Sequence, residues 1–218
     1  MERRWWRRYL GRRDVNEYLA WKRAYWQRFL RETGHAQVLE EDWQYGARVL
    51  DAGCGPAGVF SVLAKASVTA VDPLLDAYDE LPHFERTRYP NVHWRDVPLE
   101  RFEETGGYDY VFCLNVLNHV RDLGAVLRVL AKALRPSGTL VLSVDAHRHA
   151  WLKPVFKLLP GDVLHPHQLD LGEYVAACEA AGLRLERQQL YDTPALFDYW
   201  ALTLKPVATP PAPKLTSA

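Results

Sequence analysis

Apolar positions along the chain follow two regimes. Over residues 14–31 they recur near helical spacing at Val15, Tyr18, Leu19, Trp26, Phe29 and Leu30, with Lys22 interrupting the stripe. Asp14 followed three residues later by Glu17 has the form of an N-terminal capping box, and Gly34 supplies a stop, so the pattern predicts an amphipathic helix over Asp14–Arg31. From Arg48 onward, short apolar runs alternate with helical stretches. Strands are predicted at Arg48–Ala52, Val68–Val71, Val92–Arg95, Tyr108–Leu114 and Thr139–Val144. Helices are predicted at Gly58–Ala66, at Leu74–Leu81 and, capped by Asp122, at Leu123–Leu134, with Arg135–Gly138 turning the chain. Strand–helix repetition at this spacing predicts an α/β fold, a parallel sheet with helices on both faces and right-handed crossovers.

The rhythm breaks at Ala146–Leu169, which contains Pro154, Pro160 and Pro166 and the histidines His147, His149, His165 and His167. A connection this long inside a compact domain reads as a lid. Asp170 and Glu173 form a second capping-box pattern, opening a helix that ends near Gly182. Leu183–Tyr191 and Tyr199–Leu204 then read as two strands whose spacing allows an antiparallel pair at the end of the sheet. The expected organisation is a helical arm or cap over 1–46, one domain over 47–206 with a lid at 146–169, and a flexible proline-rich tail over 207–218.

Composition changes this picture in one respect. The 218 residues, 25.0 kDa, are 48% hydrophobic and 25% charged, which suits one globular domain with a small appendage and excludes wholesale disorder. Twenty-seven basic and 27 acidic residues cancel, which argues against a generic polyanion binder and makes a nucleic-acid partner unexpected. The cancellation hides an asymmetry. Residues 1–31 hold ten Lys/Arg and three Asp/Glu, a local +7, and the remainder carries −7. Trp5, Trp6 and Tyr9 stand among the arginines of this arm. These aromatics could pack on the acidic body or cover its active site, and docking on a second copy would give a homodimer. On this division of labour, deleting the arm weakens activity more than cofactor affinity.

Cys54, Cys113 and Cys178 make no disulfide framework and no zinc spacing, so no metal is expected. The arginine-rich start lacks the apolar core of a secretory signal, and no run approaches the ~18 apolar residues of a membrane span. A reduced cytoplasmic protein without a membrane span is expected.

The chemistry concentrates in Val49-Leu-Asp-Ala-Gly-Cys-Gly-Pro-Ala-Gly58. Gly53, Gly55 and Gly58 satisfy G-x-G-x-x-G between a strand and a helix, which lets a ligand approach the backbone closely; alone the motif suits any adenosine cofactor. Three acids end three successive strands: Asp51 just before the first glycine, Asp72 after the second strand, and Asp96 after the third. They line the carboxyl edge, where open α/β sheets bind ligands.

With Val71-Asp72, Arg95-Asp96-Val97, Tyr108–Val120 and Leu134–Leu142, this series resembles the class I S-adenosylmethionine-dependent methyltransferases, over about Ala47–Pro206, and in particular their small-molecule and quinone-type branch. The resemblance implies a Rossmann-like, doubly wound, mostly parallel seven-stranded sheet with an antiparallel last strand. It implies S-adenosyl-L-methionine as cofactor and S-adenosyl-L-homocysteine as product. Gly53, Cys54 and Gly55 would contact the amino-acid end of the cofactor with Asp51 near its amino group. Asp72, followed by Pro73, would hold the ribose hydroxyls, Asp96 and the Val97 backbone would read adenine, and Asn115 would lie beside the sulfonium. An acidic cleft suits that cation better than a phosphate-bearing dinucleotide. Methyl transfer is in-line displacement on an activated carbon, so the lack of a nucleophile–base triad is no objection.

The candidate general bases are His119, close behind the fourth strand, and His167, which precedes a capped helix as a histidine does in many members of that family. The expected activity is O- or N-methylation of a small molecule. The alternatives are an NAD(P)-dependent oxidoreductase, a non-catalytic S-adenosylmethionine-binding partner protein, and an RNA methyltransferase using the basic arm.

Overall fold

The computed structural model describes residues 2–11, 13–147, 169–193 and 197–207. The arm contributes α1 (Glu2–Leu10), α2 (Val15–Glu32) and a single turn, α3 (Glu41–Gln44). The sheet strands are β1 (Arg48–Ala52), β2 (Ser67–Val71), β3 (Val92–Arg95), β4 (Tyr108–Leu114), β5 (Leu134–His147), β6 (Leu183–Asp192) and β7 (Phe197–Pro206). Between them lie α4 (Leu75–Tyr78), α5 (Leu123–Ala133) and α6 (Leu171–Ala180). The sheet order is β3-β2-β1-β4-β5-β7-β6. β1 to β5 pair in parallel, while β7 runs antiparallel to both β5 and β6 and is wedged between them. The expected α/β architecture with an antiparallel last strand is what the chain forms.

Successive residues on the central strands bury into opposite layers, as the period of two requires. Tyr110, Phe112 and Leu114 of β4 join one cluster with α2, whereas Val111 and Cys113 join a second with α5 and α6. Both faces are covered, which explains why the strands read as continuous apolar runs. The caps form as the sequence predicts. Asp14 accepts from the Asn16 and Glu17 N–H groups, Asp122 from Ala125, and Asp170 and Glu173 close a reciprocal capping box.

Three predicted elements differ. The helix expected over Gly58–Ala66 is replaced by two 3₁₀ turns, Gly55–Ala57 and Val59–Val62. The backbone groups there have other partners: the Phe60 N–H donates to the Asp51 carboxylate at 2.9 Å, and the Ala57 carbonyl accepts from the Trp26 indole at 2.8 Å. The helix expected over Leu74–Leu81 is shortened to α4, since Pro82 disfavours helical backbone in the residue before it. Arg135–Gly138 is not a separate turn but a bulge within β5: Tyr108 pairs with Leu134, and the next partners are Tyr110 and Thr139. Asp109 on the facing strand holds Arg135 in an ion pair there. The α1/α2 arm is built into the structure: Leu10, Tyr18, Leu19, Trp26, Phe29 and Leu30 are all buried.

Candidate active site at the carboxyl edge of the sheet

The loop after β1 is a backbone solution that only glycine allows. Gly53 has φ +74° and Gly55 φ +57°. A Cβ on Gly53 would lie 2.3 Å from the Val116 side chain, so strand β1 meets the loop after β4 at this residue. The Gly53 and Cys54 N–H groups both donate to the Val71 carbonyl, at 2.7 and 3.1 Å, binding the loop to the end of β2. Gly58 has an ordinary φ of −76°, but a Cβ there would sit 2.4 Å from an Asp51 carboxylate oxygen. The third glycine thus makes room for an acid.

That acid is the least settled charge in the site. Asp51 is 3% exposed, and burial, together with the nearby Asp72 carboxylate, pushes it up to about 7 against the partial relief of the Phe60 and Val59 N–H groups. Cys54 is buried beside both acids, and its thiol is pushed well up by burial and then by their charges. Asp72 accepts from the Gly55 N–H at 3.0 Å through one oxygen and from the Leu74 N–H at 2.9 Å through the other. Its carboxylate therefore ties the first loop to the second, with exposed Pro73 at the turn.

Asp96, beyond β3, is exposed and accepts from the Asp76 N–H at 3.4 Å. Its carboxyl is raised by partial burial and then by the Asp76 carboxyl, while Arg86, paired with Asp76 and Asp79 at 3.0 and 2.7 Å, opposes the rise. Half-buried Val97 packs on the α5 side.

Asn115 follows β4 with φ +59°, the sole non-glycine among the described residues in the left-handed region. Its N–H donates to Ser143 Oγ at 2.8 Å, the Ser143 hydroxyl reaches Asn115 Oδ1 at 3.4 Å, and Tyr199 Oη lies 2.8 Å from Ser143 Oγ. Tyr199 also shares a hydrogen bond with Tyr25 of α2. His119 is exposed four residues beyond Asn115, its N–H donating to the Val116 carbonyl at 2.8 Å. His167, like His149 and His165, lies outside the described residues.

The structure thus ties Gly53, Cys54, Gly55 and Asp72 together by hydrogen bonds at the end of β2, buries Asp51 beside them, sets Val116, next to Asn115, against Gly53, and places Asp96 at the neighbouring strand end. Four residues were missed by sequence reading: Ser143, Tyr199, Tyr25 and Trp26. Ser143 had a signal, being the lone polar residue inside an apolar run; the arm's aromatics are expected to cover the site, but nothing in the sequence names the partners of Tyr25 and Trp26. Among the described residues no group of His, Cys, Asp and Glu is placed to hold a metal ion, and no helix is long and apolar enough to cross a membrane.

Comparison with known proteins agrees with this geometry. The ubiquinone biosynthesis O-methyltransferase of Xanthomonas axonopodis pv. citri (strain 306) is 37% identical over 153 residues, 65% of this chain and 64% of that protein. That of Xanthomonas oryzae pv. oryzae (strain PXO99A) is 38% identical over 102 residues, 45% and 43% of the two chains. The chain therefore spans about half the length of the curated relatives it matches. Among solved structures, a putative sarcosine dimethylglycine methyltransferase from Galdieria sulphuraria superposes with a TM-score of 0.68 at 15% identity, covering 94% of this chain and 98% of that one. The 1,6-didemethyltoxoflavin-N1-methyltransferase of Burkholderia thailandensis, solved with S-adenosylhomocysteine, gives 0.60 at 20% identity over 90% and 92%. These likenesses show the shared fold. Neither the strand order, with β7 antiparallel, nor any of these matches supports the nicotinamide-oxidoreductase alternative. The family model for the methyltransferase domain matches residues 18–188, from within α2 to within β6, and the chain belongs to that family, whose methyl donor is S-adenosylmethionine.

Proposed function

We propose that the protein transfers the methyl group of S-adenosylmethionine to a small-molecule acceptor, with oxygen the favoured atom. The observation that carries this is the buried Asp51 carboxyl beside the left-handed glycine loop. Burial leaves it short of a counter-charge, and a cationic ligand at the loop would supply one. Gly53, Cys54 and Gly55 offer backbone close enough for the amino-acid end of the cofactor, and Asp51 would hold its ammonium. Asp72, at the end of β2 and tied to the Gly55 and Leu74 N–H groups, would hold the ribose hydroxyls, beside Pro73. Asp96 and the Val97 backbone stand where adenine would be read. Bound there, S-adenosylmethionine supplies an electrophilic methyl on a sulfonium, and its transfer needs alignment and exclusion of water more than acid–base chemistry.

The remaining residues would orient the acceptor. Asn115, held by Ser143, would stand beside the reacting centre. His119 is exposed at the same edge and would take the proton of an acceptor hydroxyl, with His167 of the lid segment as the second candidate. On this reading the arm, 1–46, caps the acceptor site: Trp26 reaches the glycine-loop turn, and Tyr25 reaches Tyr199. An O-methyltransferase named in relatives 37–38% identical supports the choice of oxygen. A cytoplasmic location belongs to the same reading, supported by three free cysteines. So does the absence of a nucleic-acid partner, supported by the zero net charge. The arm docks on its own body here, which leaves a homodimer through it without support.

The test is calorimetry. S-adenosylmethionine and S-adenosylhomocysteine should bind, and Asp72→Ala should weaken both at least tenfold. No binding, or affinity unchanged in Asp72→Ala, overturns the proposal.

A further inference from the structure

Lys22 interrupts the apolar stripe of α2, and its surroundings are unusual for a lysine. Its Nζ lies 5.4 Å from the Trp21 ring centroid, 5.4 Å from Tyr25 and 5.1 Å from Trp26. Aromatic faces stabilise an ammonium only in part. Among the described residues no carboxylate pairs with it, and burial alone pushes it down to about 8. The charged groups acting on the Tyr25 ring of the cage are Arg28 of α2 and then Asp145 of β5, and neither shifts Lys22. The other groups behind the cage are neutral phenols, Tyr191 of β6 and Tyr199 of β7. A partly buried cation with no anion is the kind of group that leaves room for a ligand's charge.

Its position says which ligand. The Trp26 ring of the cage donates to Ala57 in the turn after the glycine loop. The Tyr25 ring joins Tyr199, hence Ser143 and Asn115. Lys22 is therefore one ring removed from both the glycine loop and the Asn115 cluster. Asp51, Asp72 and Asp96 form the rim for the cofactor, whose sulfonium carries positive charge, and a lysine has no part in holding that. The same acidic rim would repel an anionic acceptor unless a cation on the other wall offset it.

We infer that Lys22 binds the methyl acceptor by its carboxylate, against the wall of Trp21, Tyr25 and Trp26, and so selects an acidic small molecule. This rests on the methyltransferase reading above. With the acid seated, the ammonium gains a charge-assisted hydrogen bond that a neutral analogue cannot give.

The experiment uses the full chain saturated with S-adenosylhomocysteine and measures binding of 4-hydroxybenzoate and 4-hydroxybenzamide by calorimetry. The acid should bind about tenfold or more tightly than the amide, the size expected for a hydrogen bond to a charged group. Lys22→Met should abolish that preference, Lys22→Arg should restore it, and both should bind S-adenosylhomocysteine as the unaltered protein does. In the unaltered protein, 4-hydroxybenzoate should also slow acetylation of Lys22, read by peptide mass spectrometry, where the amide does not. That second measurement needs no variant to fold. An amide bound as tightly as the acid, a preference that survives Lys22→Met, or no binding and no protection by either compound overturns the inference while leaving the methyltransferase reading intact. Failure of S-adenosylhomocysteine itself to bind overturns that reading, and this inference with it.

Discussion

The two faces of the sheet are closed by different means. One is covered by α5 and α6, helices that belong to the sheet's own strand connections. On the other face the connections hold only short helical pieces: two 3₁₀ turns between β1 and β2, and the single turn α4 with the 3₁₀ turn Arg86–Arg88 between β2 and β3. There the arm completes the layer, with Trp26, Phe29 and Leu30 of α2 packed against Val49, Ala70 and Phe112. The first face is local in sequence. The second joins residues whose separation is seen in the bond from Trp26 to Ala57, 31 positions on. Because the glycine loop lies on that second side, the arm is core and, on the proposed function, would also be a wall of the active site.

The comparison predicts that deleting residues 1–32 does more than open a cap. Leu10, Tyr18, Leu19, Trp26, Phe29 and Leu30 are 0–6% exposed. Each buried apolar side chain is worth about 1.5–3 kcal/mol, so together they rival a typical net stability of about 5–15 kcal/mol. Loss of cooperative thermal unfolding is expected, and cofactor affinity should vanish with activity. A truncated chain that melts cooperatively and still binds S-adenosylhomocysteine would reduce the arm to a cap over the acceptor. In point form, Phe29→Ala on the arm should cost about as much as Leu130→Ala on α5, both roughly 2–5 kcal/mol by denaturant unfolding.

A step down in size is Gly53→Ala. The residue needs φ +74°, and the added methyl would lie 2.3 Å from Val116. The left-handed backbone alone costs about 1–2 kcal/mol. Displacing Val116 moves the segment next to Asn115, so S-adenosylhomocysteine affinity should fall more than tenfold with the fold retained. Undiminished affinity would separate the β4 loop from the cofactor site.

These contrasts also explain what was legible in the sequence. Arg48–Ala52 and Tyr108–Leu114 coincide with observed strands because a strand buried on both faces writes itself as a local apolar run, and Val92–Arg95 coincides as an edge strand with His93 and Arg95 exposed. The carboxylates at the strand ends were legible for the same reason: strand end and acid are adjacent in the chain. The helix expected over Gly58–Ala66 was not, since its backbone groups are claimed by Asp51 and by Trp26, and nothing near residue 60 encodes an indole from the arm. The Ser143–Tyr199–Tyr25 connection was hidden likewise, because β7 enters the sheet between β5 and β6 and aligns Ser143 with Ala201.

Acidity offers a subtler test of the glycine-loop side. The Asp51 carboxyl is raised from 3.8 to about 7, so between those values the folded protein keeps a proton that the unfolded chain has released. Stability contributed by this group therefore falls as pH rises from about 4 to 7. A cation at the loop favours the ionised form, so S-adenosylmethionine affinity should rise with pH through about 7 and level off above it. Asp51→Asn should flatten both dependences, as calorimetry and thermal melts across pH 5–8 would show. A pH-independent affinity in the unaltered protein would mean that Asp51 does not meet the ammonium.

The smallest effect is expected where the arm touches the sheet edge in water. Gln189 of β6 donates to the Glu32 carbonyl at the end of α2, at 2.6 Å, in an exposed position. Water replaces such a bond readily, so Gln189→Ala should shift stability by no more than about 0.5 kcal/mol. Trp26→Phe keeps an aromatic ring but strands the Ala57 carbonyl in a buried site, and about 1–3 kcal/mol should be lost. The arm also meets β6 and β7 through Tyr25, Phe29 and Tyr191, whose rings lie within 5.0–6.5 Å of one another. If Gln189→Ala proved as costly as Trp26→Phe, the arm would be held by its polar edge rather than by the buried layer. The second face would then be a docked lid instead of a core. Equal unfolding midpoints for Gln189→Ala and the unaltered protein, with Trp26→Phe clearly lower, place the attachment at the indole beside the glycine loop.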